Sequence, residues 1–234
     1  MNFLAHGYRY LDRPYFLAGT AVPDWLVVAD RSLRLRAERL EAFLQLEDGH
    51  LGELARGMLQ HLRDDAWFHS NPVFVRLSAE LTREIAAWLG KEDSFRPAFL
   101  GHLITELLLD AALAREDVGR ITAYYRSVAS LELAQLEAMV GRICGRPTDR
   151  LAPMIRRFLA AQVLWDYLDD RALVRRVNQV LRRVGFAPVP DGFSVLLLGA
   201  RKTVELHREA LLAGIPAMLP AACCPASQGE VGSD

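Results

Sequence analysis

Apolar residues recur at three- and four-residue steps through almost the whole chain, and that periodicity restricts it to helices. Leu40, Phe43 and Leu44 set the step, and Leu51, Leu54, Met58 and Leu62 continue it. It resumes at Val73, Leu77, Leu81, Ile85 and Trp88, then at Phe99, Leu103, Leu107 and Leu108. Later segments are Leu131–Val140, Ile155–Tyr167, Leu173–Val184 and Phe193–Leu212. Alternating strand pattern is scarce. Turn chemistry falls between the periodic segments, at Glu47-Asp48-Gly49, Ser70-Asn71-Pro72, Gly145-Arg146-Pro147 and Ala187-Pro188-Val189-Pro190. Asn71 reads as a helix cap with Pro72 at the first helical position. Roughly eight to ten helices are expected. No repeat and no Gly/Ser/Pro-rich linker divides them, so the expectation is one all-α, single-domain helical bundle over residues 1–214. Periodicity stops after Gly214, which predicts a flexible tail over 215–234.

The size and charge of the chain narrow its partners. With 234 residues it can bury a sizeable core. The net charge is −1 and the pI about 6.6, so no bulk positive charge attracts a phosphate backbone and no nucleic-acid partner is expected. Three cysteines, the lone Cys144 and the adjacent Cys223 and Cys224, lack disulfide-framework or zinc-finger spacing and point to a reduced, cytoplasmic protein. Met1–Gly7 has no basic leader pattern. The longest uncharged stretch, Ala210–Gly229, carries Pro216, Pro220 and Pro225, so no membrane span is expected.

Chemistry concentrates in two segments. In one, His61, Asp65 and His69 stand at i, i+4 and i+8; in the other, His102, Glu106 and Asp110 repeat that spacing. Four residues drift only about 40° around a helix, so each set makes a stripe of imidazole and carboxylate. The second stripe lies in a segment apolar nearly all round, the mark of a buried helix. Acids buried there are costly unless paired or bound to a cation. One such stripe is ordinary helix chemistry; two of them, with His6 and Asp24 in apolar surroundings, point to one or two divalent ions.

The opening Met1-Asn2-Phe3-Leu4-Ala5-His6 resembles the start of bacterial acyl carrier protein phosphodiesterases, distant members of the HD-like metal phosphohydrolases. Gly19-Thr20-Ala21-Val22-Pro23-Asp24 is similar to that family's Gly-Asn-x-x-x-Asp element, and His61-Leu62-Arg63-Asp64-Asp65 to its His-x-x-x-Asp pair. Asn71-Pro72 and Gly101-His102 are looser counterparts of a turn and a later Asp-His step. Thr20, His69 and Gly101 stand where the family has Asn, Asp and Asp. The resemblance covers about the first 110 residues.

It implies an HD-like fold and metal-dependent hydrolysis of a phosphoester, small or linked to a carrier protein. His6, Asp24, His61, Asp65 and His102 are the expected ligands of one ion. His69 and Glu106 would hold a second, with Asp110 orienting a ligand imidazole. Asp64 or Glu106 is the expected proton acceptor. The mixed donor set suits Mn, Fe or Zn. Two other readings stand beside this one: an HD-like di-iron oxygenase, which the extra His69 suits, and a non-catalytic, metal-stabilised binding module.

Other candidates carry less. Asp166, Asp169 and Asp170 near Arg156, Arg157, Arg171, Arg175 and Arg176 read as an ion-pair network. Arg175, Arg176, Arg182 and Arg183, and Arg63 beside the first stripe, are the candidate phosphate-binding cations. Tyr8, Tyr10, Tyr124 and Tyr125 have core spacing. His50 is expected in an exposed turn, and His207 in a structural role.

Overall fold

A computed structural model describes residues 1–33, 35–46, 49–90 and 95–219. Among these residues there are twelve α-helices and no strand. They are α1 (Phe3–Gly7), α2 (Pro14–Ala29), α3 (Ala37–Leu46), α4 (Gly49–Ser70), α5 (Pro72–Leu89) and α6 (Phe95–Glu116), followed by α7 (Gly119–Ala129), α8 (Leu133–Cys144), α9 (Leu151–Ala161), α10 (Val163–Asp166), α11 (Asp170–Val184) and α12 (Ser194–Leu212). The all-α architecture read from periodicity is the one observed. The expected turn residues Glu47 and Asp48, the tail from 220 onward and Cys223 and Cys224 lie outside the described residues.

Two helices exceed the expected number because they are too short for periodicity to register. One is α1. The other is α10, where the expected Ile155–Tyr167 helix breaks at Gln162, whose φ of 48° is left-handed. The Leu164 N–H of α10 is taken up by the buried Tyr125 hydroxyl at 2.9 Å.

The site depends on a close contact between α2 and α4. Gly19 and Gly57 face each other there, and a Cβ on Gly57 would lie 2.9 Å from Gly19 Cα. No side chain fits between the two backbones. The pair α5 and α6 packs beside them, and α12 covers α5 and α6. Gly101 plays the same part in α6, since a Cβ there would lie 2.7 Å from the Ser78 carbonyl of α5. A larger residue at 101, such as the family's Asp, would force these helices apart.

Asn71 caps α5 by accepting from Val73 N–H at 2.8 Å, as its position before Pro72 predicts. Its side-chain amide also donates to the Ala210 and Leu211 carbonyls at the end of α12. Glu137 of α8 accepts from Leu151 and Ala152 N–H, tying the start of α9 to α8, and α9 also packs on α2. One helix, over Arg96–Glu116, is long and apolar enough to cross a membrane, and 72% of its apolar window is packed inside the protein.

Candidate metal centre

The donor residues gather into two triads of the same composition, two imidazoles and one carboxylate. His6, His61 and Asp65 offer donor atoms within 4.8 Å of one another, and His69, His102 and Glu106 do the same. Among the described residues these are the two groups that converge so. Helix geometry explains why the first stripe divides between them. Over eight residues the drift doubles to about 80°, so His69 faces α6 while His61 and Asp65 face α1.

The first triad is closed to solvent on its histidine side. His6 is fully buried, and its ring stacks on that of His61 with centroids 4.0 Å apart. His61 Nδ1 donates to the Thr20 carbonyl at 2.8 Å, a contact the Gly19–Gly57 approach permits. That bond fixes the tautomer and leaves the Nε2 lone pair directed toward Asp65, whose Oδ2 lies 3.3 Å away. His6 Nε2 is 3.2 Å from Asp65 Oδ1, yet neither ring nitrogen of His6 has a hydrogen bond. A buried imidazole without a partner is costly. It is the orphan that a bound cation would satisfy.

The second triad opens outward. The side chains of His69 and His102 are 38% and 45% exposed, while Glu106 is 13% exposed. Glu106 Oε1 lies 3.0 Å from His69 Nε2 and 3.1 Å from His102 Nε2. Between the triads sits the α-amino group of Met1, 2.7 Å from Asp65 Oδ1 and 3.0 Å from Glu106 Oε1. One carboxylate of each triad thus meets at a point that holds positive charge. This arrangement and the orphaned His6 both fit a site for divalent cations.

The electrostatics agree. Burial alone would raise the Asp65 carboxyl, but His6, His61 and the Met1 ammonium hold it far below the usual range. Glu106 behaves likewise, burial being outweighed by the ammonium and by His102 and His69. Burial disfavours charge on His61, yet Asp65 and Asp24 raise its pKa above the ordinary value. For Asp24 burial wins over His61 and His6, and its pKa is raised.

Four expected residues have other places. His102, expected on the first ion, converges instead with His69 and Glu106, because α6 carries it alongside Glu106. Asp24 stands outside both triads, coupled to His6 and His61 through charge, at the edge of a groove beside the centre. Asp110, expected to orient an imidazole, accepts instead from Leu4 and Ala5 N–H at 2.9 and 2.7 Å and from the Asn2 amide at 3.0 Å. It holds the first turn of α1, and with it the backbone that carries His6. Burial pushes its carboxyl up to about 7, against the N–H donors that favour ionisation. Asp64 lies behind His6, fully buried, with Oδ2 3.6 Å from His6 Nδ1 and Oδ1 accepting from Gln60 at 2.8 Å. At 3.6 Å Asp64 lies behind the ring without hydrogen-bonding it, and its full burial leaves it no path to a reacting proton.

The remaining candidates resolve as structure. Of the expected ion-pair network, Arg176 pairs with Asp166 at 2.6 Å, while Asp170 pairs with Arg201 and Asp169 caps α11 by accepting from Ala172 N–H; Arg156, Arg157, Arg171 and Arg175 have no ion pair among the described residues. Tyr10, Tyr124 and Tyr125 are core residues, and Tyr8 is packed against the core. His50 is exposed, in the first turn of α4, with its ring stacked on Tyr15. His207 bonds the Thr203 carbonyl one turn back.

The groove was not legible in the sequence. It has a volume of about 1020 Å³ and runs from Asp24, His102 and Glu106 between α2, α6, α9 and α11. Half of its wall comes from residues after 120, whose apolar positions read simply as core faces. No family model, no curated protein and no solved structure matches this chain.

Proposed function

We propose that the chain is a metal-dependent hydrolase acting on a phosphoester, a phosphodiester by preference, with one or two divalent ions held by the two triads. The observation that carries this reading is the pairing of two His/His/carboxylate triads, one buried and one open, with His102 and Glu106 of the open triad lining a groove large enough for a substrate. Three protein donors per ion leave coordination positions free, as hydrolytic metal sites require. Bound there, a divalent ion would polarise the phosphoryl group and make water a nucleophile near neutral pH.

The chain's own residues have separable parts. His6 and His61 supply nitrogen donors, and His61 is held by the Thr20 carbonyl. Asp65 and Glu106 supply the negative charge. Glu106, at the groove and less buried than the first triad's histidines, is the group with access to a substrate proton. The HD-like resemblance of residues 1–110 supports the same assignment.

The test is turnover of bis(p-nitrophenyl) phosphate with added Mn²⁺ or Zn²⁺. Turnover that requires the metal and is lost in Asp65→Ala is expected. Turnover without metal, or unchanged in Asp65→Ala, contradicts the mechanism. A second reading, a di-iron oxygenase, is favoured by one specific observation: two histidines and one carboxylate is the donor set of non-haem iron oxygenases, and it occurs here twice. Oxygen uptake by iron-loaded protein, with no phosphodiester turnover, would select it.

A further inference from the structure

The groove beside the centre is far larger than a phosphate needs. Its volume of about 1020 Å³ is at the top of the range of about 300–1,000 Å³ usual for small-molecule sites. Its lining is largely apolar: Phe3, Trp25 and Phe158, packed ring against ring, with Met154 and Val180. Val27, Val28 and Val184, 57%, 44% and 43% exposed, all lie on this groove. Exposed aliphatic side chains clustered on one concavity mark a binding surface.

Its charge is distributed unevenly. The metal end carries the carboxylates of Asp24 and Glu106. Arg31, Arg150, Arg157 and Arg183 also line the groove, contributed by the end of α2, the region before and within α9, and α11. None of these four has a carboxylate within ion-pair distance among the described residues, whereas Arg176 is held by Asp166. Asp149 lies there too and leaves a clear positive surplus. Arg31 and Arg157 each donate to backbone carbonyls, but a guanidinium group with no carboxylate in ion-pair contact keeps donors suited to carboxylate and phosphate oxygens.

We propose that this groove binds an elongated organic anion, a single long apolar chain with its anionic end on Arg31, Arg150, Arg157 and Arg183 and its other end directed to the metal centre. The inference names the substrate class of that centre and rests on the reading above only for the chemistry at the far end. At the metal end the Glu106 carboxylate is already paired with the Met1 ammonium, so the anionic end is drawn to the four arginines, which have no carboxylate partner among the described residues. The apolar wall supplies affinity in proportion to chain length, and the arginines discriminate the charged end from a neutral one.

The experiment is calorimetric titration of the metal-free full chain with dodecyl phosphate below its micellar concentration, beside ethyl phosphate and dodecanol. Dodecyl phosphate is expected to bind about a hundredfold or more tighter than ethyl phosphate, because the buried methylenes contribute additively. It is expected to bind about tenfold or more tighter than dodecanol, and Arg157→Glu/Arg183→Glu removes that second advantage. Arg182, a candidate phosphate-binding cation by sequence, does not line the groove, and neither does Arg156; Arg156→Glu/Arg182→Glu, on the same helices, leaves the affinity unchanged and controls for folding and net charge. Groove binding is measured on metal-free protein and phosphodiester turnover on metal-loaded protein, so failure of one is read separately from failure of the other. Equal binding of dodecyl phosphate and dodecanol, or of dodecyl and ethyl phosphate, overturns the proposal. So does an affinity indifferent to Arg157→Glu/Arg183→Glu.

Discussion

His61 shows what a single residue must satisfy to be a ligand here. Its Nδ1 is committed to the Thr20 carbonyl, so only Nε2 faces Asp65, and neither His61 nor Asp65 replaces the other. His61→Ala and Asp65→Ala are therefore each expected to abolish metal binding at the buried triad while circular dichroism stays helical. His50→Ala, an exposed change, leaves metal content unaltered. An equal loss in His50→Ala would refute the assignment. Asp110 has a pH signature of its own. Its carboxyl, ordinarily at 3.8, is pushed up to about 7, so between those values the folded state binds more protons than the unfolded one. Its contribution to stability is full below about pH 4 and is lost as pH rises through about 7. Metal-free protein should thus lose more Tm between pH 5 and 8 than Asp110→Asn, which stays neutral; parallel curves would contradict this. At this scale the sequence was informative about donors and only in part about their grouping. The i,i+4 spacing identified His61, Asp65, His102 and Glu106. The expected grouping set His69 and Glu106 apart from His61 but placed His102 with the first set, whereas it converges with His69 and Glu106; spacing within one helix does not say which neighbouring helix a donor meets. Nor did it indicate that Asp64 and Asp110 act from behind, since a carboxylate's direction is set by tertiary contacts.

Between elements, the centre is positioned by backbone approaches that only glycine permits. The Gly19–Gly57 contact brings the Thr20 carbonyl of α2 to the His61 imidazole of α4. Gly57→Ala inserts a methyl group where none fits and is expected to cost roughly 1–3 kcal/mol or more, with weaker metal binding at the buried triad. Calorimetry with metal titration checks both effects, and a neutral change would contradict the packing. Asn71 joins the start of α5 to the end of α12. Asn71→Ala should cost about 1 kcal/mol for the cap alone and more for the lost α12 contacts, whereas Asn71→Asp restores only the cap. Equal stability of these two variants would show that the α12 contacts contribute nothing. Elements of this length were legible from apolar spacing and turn residues. The five-residue α1 and four-residue α10 were not, because neither contains a full period pair to detect. The glycine contacts escaped notice for a different reason: an isolated glycine in a helix has the same sequence appearance whether it is buried or exposed.

The whole molecule divides its labour between halves. Residues 1–116 supply both triads, and the later helices α9 and α11 close a groove over them with an arginine-lined wall. Apolar periodicity recognised those later helices but assigned their inner faces to the core, since a groove wall and a core face have the same pattern. A metal bound to the folded state and absent from the unfolded one stabilises by mass action, about 2.7 kcal/mol at a hundred times Kd. For a chain of this size that is roughly 5–10 °C in Tm, which chelation should remove and readdition of Mn²⁺ or Zn²⁺ should restore. The account's central claim is that the two triads hold cations. The direct measurement is elemental analysis of protein purified without chelator, with Asp65→Ala beside it. The account predicts one to two transition-metal ions per chain at saturation, and loss of the ion at the buried triad in the variant. Wild-type protein that carries no metal and takes up none on titration with Mn²⁺, Fe²⁺ or Zn²⁺ would contradict it.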